Sequence, residues 1–279
     1  MTYCLGIVTR HGLVMASDSR TNAGYDQVNV CTKMYTFVKP GERVFVILAS
    51  GSLSCTQSAM TLLRRDFDAG VGLAAAPAMY DAAREVGRQL RVVGDLDRAA
   101  LERDDYKFNV HFILGGQVRG APPALFLIYP QGNPLQASEQ CPFLQIGEAK
   151  YGKPILDRGI SFEHTPLEAA AKYALLSLDS TMKSNVTVGP PIDLLAYSAD
   201  ELNITRQRRF TGDDPDLMKI RVRWQQALRQ AVLRLPDVRF QTKAVGGSKE
   251  QTIQLVDSAD VGEGAAQIDQ TAGPDQKRP

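Results

Sequence analysis

The chain predicts an α+β fold, a four-layer αββα sandwich, and three observations carry that expectation. Its strands come in hairpins, which argues for antiparallel sheets. The first two, TYCLGIVT (2–9) and LVMASD (13–18), are apolar on both faces, so each face needs a cover. The helices enter in blocks: four strands, two helices, three strands, a helix, one or two strands, a helix. Two stacked sheets with helices outside satisfy all three demands.

Each element has its own signal. Arg10-His11-Gly12 is the turn of the first hairpin. SRTNAGYDQVN is a polar stretch with Asn22 and Gly24 as turn residues. KMYTFV (33–38) and RVFVILA (43–49) form a second hairpin around Pro40-Gly41. Ser50-Gly51-Ser52 opens a helix in which Ala59, Leu62, Leu63 and Phe67 recur at helical spacing. A second helix puts Met79, Ala82, Ala83, Val86 and Leu90 on one face. Strands resume at 107–115, 123–129 and 142–146. A helix spans about 166–183, with Thr165 as N-cap, Pro166 at the first position and Glu168 completing a capping box. Leu167, Ala170, Ala171, Ala174, Leu175 and Leu178 are its buried stripe. Residues 192–198 and 203–210 read as strands, and Asp213-Asp214-Pro215 starts a last helix running to about Leu235. From Lys243 onward Gly, Asp and Gln dominate, so the chain divides into a folded domain (1–240) and a flexible or partner-dependent tail (241–279).

Composition narrows the function classes. A chain of 279 residues, 44% hydrophobic, can build one sizeable core or two small ones. A net charge of +1 announces neither nucleic acid nor an anionic membrane. The arginine-rich segment from Arg206 to Arg234 interleaves an apolar stripe (Leu217, Ile220, Trp224, Leu228, Ala231, Leu235), which reads as a solvated face or subunit contact rather than a nucleic-acid surface. The start lacks the basic stretch and long apolar run of a signal peptide, and no window suits a membrane span, so a cytoplasmic location is expected. Cys4, Cys31, Cys55 and Cys141 are scattered and read as small buried residues. His11, His111 and His164 are far apart and read as structural; no metal or cofactor is expected.

The chemistry centres on Thr2. Initiator Met is generally removed before a small residue, and removal would leave a threonine whose α-amine lies beside its hydroxyl. A hydroxyl needs a base to become a nucleophile, and a terminal amine of pKa about 7.7–8.0 can be that base. A nearby cation raises the free-amine fraction, which suits Lys33, and a carboxylate such as Asp18 would hold that lysine. A hairpin turning at 10–12 brings Asp18 within about two positions of Thr2 across the strands. A backbone N–H in the Ser50-Gly51-Ser52 turn could receive an oxyanion.

Together, Thr near the start, GLVMASDSR, a lysine opening the third strand and a small-Gly-Ser turn before a helix resemble proteasome β-type subunits. More narrowly, they resemble the bacterial proteasome-like Anbu family, the "ancestral β subunit". The similarity spans roughly residues 2–240, and its specific part is the first 60 residues. The resemblance implies an N-terminal-nucleophile hydrolase fold and assembly into rings or open spirals. It further implies Thr2 as nucleophile and base, Asp18 and Lys33 as the aspartate and lysine, Gly51 as the oxyanion glycine, and Asp179 as the later aspartate that orients the threonine amine. The substrate would be a peptide or other small amide; no ATP-dependent unfoldase is named by the sequence. There are departures from the proteasome pattern: Tyr3 replaces a second threonine, the lysine comes one residue early, Gly147-Glu148 stands where Gly-Ser is common, and the late helix keeps only LDSTMKS. They leave a second reading open, a proteasome-fold scaffold with weak or no catalysis.

Overall fold

The computed structural model describes residues 2–22 and 28–240. Gly24 and the tail 241–279 lie outside the described residues. In chain order come β1 (Tyr3–Thr9), β2 (Gly12–Asp18), β3 (Arg20–Asn22), β4 (Val28–Val30), β5 (Met34–Lys39) and β6 (Arg43–Gly51). The helices α1 (Leu53–Asp68) and α2 (Met79–Arg103) follow, then β7 (Val110–Val118), β8 (Ala124–Ile128), β9 (Pro134–Gln136) and β10 (Phe143–Gly147). Last are α3 (Lys153–Gly159), α4 (Leu167–Ser184), β11 (Ile192–Ser198), β12 (Arg206–Phe210) and α5 (Pro215–Leu233).

Two five-stranded antiparallel sheets form the centre, ordered β10-β1-β2-β11-β12 and β5-β6-β7-β8-β9. Every residue of β1 and β2 is buried. The pleat explains how. Leu5, Ile7, Val14 and Ala16 point outward into a core shared with Leu167, Ala170, Ala174 and Leu178 of α4. Cys4, Val8, Leu13 and Met15 point inward and meet Val44, Val46, Leu48 and Ile113 of the second sheet. The other face of that sheet carries Phe45, Ile47 and Phe112 against Ala59 and Leu63 of α1 and Ala82, Val86 and Leu90 of α2. The result is the α, β, β, α layering expected from the sequence.

Several local expectations are corrected. The helix at 167–184 has no side-chain cap: Pro166, at ψ 154°, precedes its first residue, and Thr165 Oγ1 instead accepts the Ser161 N–H at 2.9 Å. The hydroxyl is used by the preceding turn, so the capping box does not form, and Glu168 reaches outward to Arg206 at 3.3 Å. The polar stretch after β2 holds the ribbon β3–β4, and β9 and α3 are additional elements. Of the apolar stripe on α5 only Leu217 is buried, while Leu228 is exposed. Cys4 and Cys55 are buried and Cys31 is half-buried, but Cys141 is exposed rather than buried. Among the described residues, no helix is long and apolar enough to cross a membrane.

Candidate active site

The β1–β2 hairpin sets the site. Its register pairs Cys4 with Ser17, which puts Asp18 opposite Tyr3, one position from Thr2. Asp18 Oδ1 accepts the Tyr3 N–H at 3.0 Å and Lys33 Nζ at 2.7 Å, and Oδ2 accepts the Gly189 N–H at 3.2 Å. Lys33 Nζ also donates to the Arg20 carbonyl at 2.6 Å. Burial raises the Asp18 carboxyl above its usual range, opposed by the Lys33 ammonium and the two backbone N–H groups. All its hydrogen-bond partners are donors, so the carboxylate is the form that fits.

Lys33 immediately precedes β5, and its carbonyl accepts the Ala49 N–H at 2.9 Å. That bond fixes which way β6 faces at its end. Ser52 N–H turns the other way, to the Asn109 carbonyl at 3.3 Å. Peptide groups alternate along a strand, so the Gly51 N–H faces the Lys33 side, beyond the start of β5. Gly51 has φ +113°, and a Cβ there would lie 1.7 Å from the Asn109 oxygen, so only glycine fits.

Thr2 is held from the opposite strand. Its carbonyl accepts the Glu148 N–H at 2.8 Å. Gly147 has φ +85°, and a Cβ there would lie 1.9 Å from that carbonyl oxygen. Thr2, Lys33 and Gly51 line one small space of about 30 Å³. Thr2 and Gly51 also open onto an adjoining cavity of about 550 Å³. Asp18 lies behind Lys33, fully enclosed.

Asp179 is placed elsewhere. It lines neither cavity, and its buried carboxylate accepts a hydrogen bond from Arg221 Nε of α5. α5 docks on α4, and its arginine takes the carboxylate.

The comparisons with known proteins bear on the fold and the family. No family model matches the chain. The proteasome subunit beta of Haloferax volcanii is 25% identical over 211 residues, covering 76% of this chain and 79% of that protein. Anbu from Yersinia bercovieri superposes with a TM-score of 0.80 at 40% identity, covering 86% of this chain and 100% of the other. A Gly-1 mutant of Anbu from Hyphomicrobium sp. strain MC1 gives 0.80 at 42%, with the same coverage. A helical assembly of the Anbu complex from Pseudomonas aeruginosa gives 0.80 at 44%, covering 85% of this chain and 98% of the other. The chain belongs to the Anbu family.

Several residues of this Anbu site were not read as site residues from the sequence, and His111, read there as structural, lines the large cavity. Tyr3, fully buried, places its hydroxyl 2.6 Å from Ser177 Oγ and accepts a hydrogen bond from Gln145 Nε2; burial pushes its pKa up to about 12. Gln145 in turn lines the large cavity. His111 is the second residue of β7 and lines the same cavity, with Tyr129 edge-on to it at 6.3 Å between ring centres. It pairs with Ser50 across the sheet, a contact that only the β6–β7 register reveals. Glu148 accepts Asn185 Nδ2 at 3.0 Å, so the position after Gly147 carries a paired carboxylate instead of a serine hydroxyl.

Proposed function

We propose that this Anbu protein is a self-assembling N-terminal threonine hydrolase that cleaves peptide or small amide bonds. The observation that supports it most is the shared space around Thr2, Lys33 and Gly51, with Asp18 buried behind Lys33. The expected loss of Met1 concerns a residue outside the described ones and is part of the proposal.

In the proposed reaction, Thr2 Oγ attacks the substrate carbonyl while the Thr2 amine takes the hydroxyl proton. The carbonyl π pair becomes an oxyanion, which the Gly51 N–H would receive. Collapse breaks the C–N bond, and the ammonium returns its proton to the leaving amine. The remaining ester is attacked by water, whose proton passes to the same amine. Collapse then releases the carboxylic acid and restores the hydroxyl. Lys33 favours the free amine through its charge, and Asp18 fixes the Lys33 position. Asp179, engaged by Arg221, is assigned a structural role.

Homo-oligomerisation is the other half of the proposal. It is supported by the helical assembly of the Pseudomonas aeruginosa relative and by the exposed Met218, Val222, Leu228 and Val232 on α5. The division into a domain of residues 1–240 and a tail of 241–279 stands as part of the same proposal. The deciding experiment is an intact mass of the native protein, with and without an electrophile that closes a ring on both hydroxyl and amine. The expected result is absence of Met1 and one adduct at Thr2, lost in Thr2→Ala. Retained Met1, or no adduct together with no amide turnover, favours the second reading, a proteasome-fold scaffold.

A further inference from the structure

We propose that the large cavity beside Thr2 is a subsite for an uncharged, hydrogen-bonding group of the substrate, such as a glutamine or tyrosine side chain, and excludes charged ones. The proposal rests on Thr2 being the nucleophile.

The walls carry the argument. Among the described residues, the cavity is lined by polar but uncharged groups, chiefly Asn109, His111, Tyr129, Gln145 and Thr21, with Leu127 and Ile146 as apolar patches. No Asp, Glu, Lys or Arg among the described residues lines it. In a chain that is 23% charged, a lining of this size drawn from bulk composition would carry about two or three. A neighbouring surface cavity shows the contrast: Arg64, Arg65 and Asp68 line it. A charged substrate group entering beside Thr2 would give up hydration and meet no charged side chain among the described walls, a loss that far exceeds that of a neutral amide or phenol able to hydrogen-bond there.

The polar groups are also oriented. Burial lowers the His111 pKa, so its ring is neutral at neutral pH and offers one donor and one acceptor. Gln145 commits Nε2 to the Tyr3 hydroxyl, which leaves its Oε1 as the amide's acceptor. The tyrosine next to the nucleophile thereby fixes a wall of the subsite. At about 550 Å³, the space is in the range of small-molecule sites and well above the roughly water-sized room on the Lys33 side.

Binding is measured apart from turnover. Acetylated tripeptide amides with a central Gln, Tyr, Glu or Lys are titrated into full-length Thr2→Ala by NMR. The Gln and Tyr peptides are expected to bind at least tenfold more tightly than the Glu and Lys peptides. His111→Asp, in the same background, is expected to bring the Lys peptide up by about tenfold and leave the Glu peptide weak. Equal affinities for all four, no binding of any, or an unchanged ranking in His111→Asp overturns the subsite. Electrophile labelling of the native protein is read separately, so a dead Thr2 and a wrong subsite give different results.

Discussion

On the side of Thr2 that faces β5, Lys33 and Asp18 are enclosed and only about 30 Å³ is left beside them; on the side that faces β7 and β10, about 550 Å³ stands open with no charged side chain among the described walls. The first side is a buried ion pair locked by backbone donors, with room for little more than a reacting carbonyl. The second has room and hydrogen bonding but no charged side chain among the described walls. Proton handling needs fixed charge and exclusion of water, whereas substrate recognition needs space. The two demands are met in two adjoining spaces that share Thr2 and Gly51, and each can be broken without the other.

Lys33→Met is the largest expected break. It leaves the Asp18 carboxyl buried beside two backbone donors and no cation. Removing one member of a buried pair costs roughly 3–5 kcal/mol, and threonine labelling should disappear with it. Adding Asp18→Asn should recover most of the stability, because the lone charge is gone, and none of the labelling. Denaturant midpoints of the single and double variants measure the first effect. A Lys33→Met protein as stable as the parent would mean that the enclosed side is not an electrostatic unit.

A smaller effect separates the site from its surroundings. Asp179→Asn weakens the contact with Arg221 between α4 and α5, at a cost of about 1.5–3 kcal/mol for a hydrogen bond between charged groups. The labelling rate at Thr2 should stay within twofold of the parent. A loss of labelling with no change in stability would return Asp179 to the amine-orienting role that the family resemblance implies.

How far the sequence carried the site follows from which contacts are local. β1 and β2 are joined by a two-residue turn, so the hairpin and the approach of Asp18 to Thr2 could be read from apolar runs and a turn signal. The αββα layering was legible for the same reason, since strands apolar on both faces require two covers. Asp179 had a motif but no visible partner, because Arg221 reaches it only after α5 docks. His111 lies mid-way through an apolar run, and nothing in that run shows that β6 brings Ser50 and Gly51 alongside it. Thr165 shows a local signal overridden: a good N-cap residue was taken by the turn before the helix.

The smallest effect tests the open side through pH. Burial holds the His111 pKa below 6.5, so the folded state prefers the neutral ring and the unfolded chain binds the proton more readily. The stability this group contributes is therefore whole above pH 6.5 and is lost as pH falls from 6.5 through the lowered folded value. Half-exposure keeps that loss small. The larger consequence is local: below that value a cation appears in a cavity whose other titratable groups among the described walls are the Tyr129 hydroxyl and the α-amine at position 2. Binding of the Glu peptide to Thr2→Ala should then strengthen several-fold between pH 7.5 and pH 5, while the Lys peptide stays weak. His111→Asn, which keeps a neutral polar group, should flatten that trend. If the trend survives in His111→Asn, the charge sensed by the peptide is the α-amine at position 2 or lies outside the cavity, and His111 is not what sets recognition.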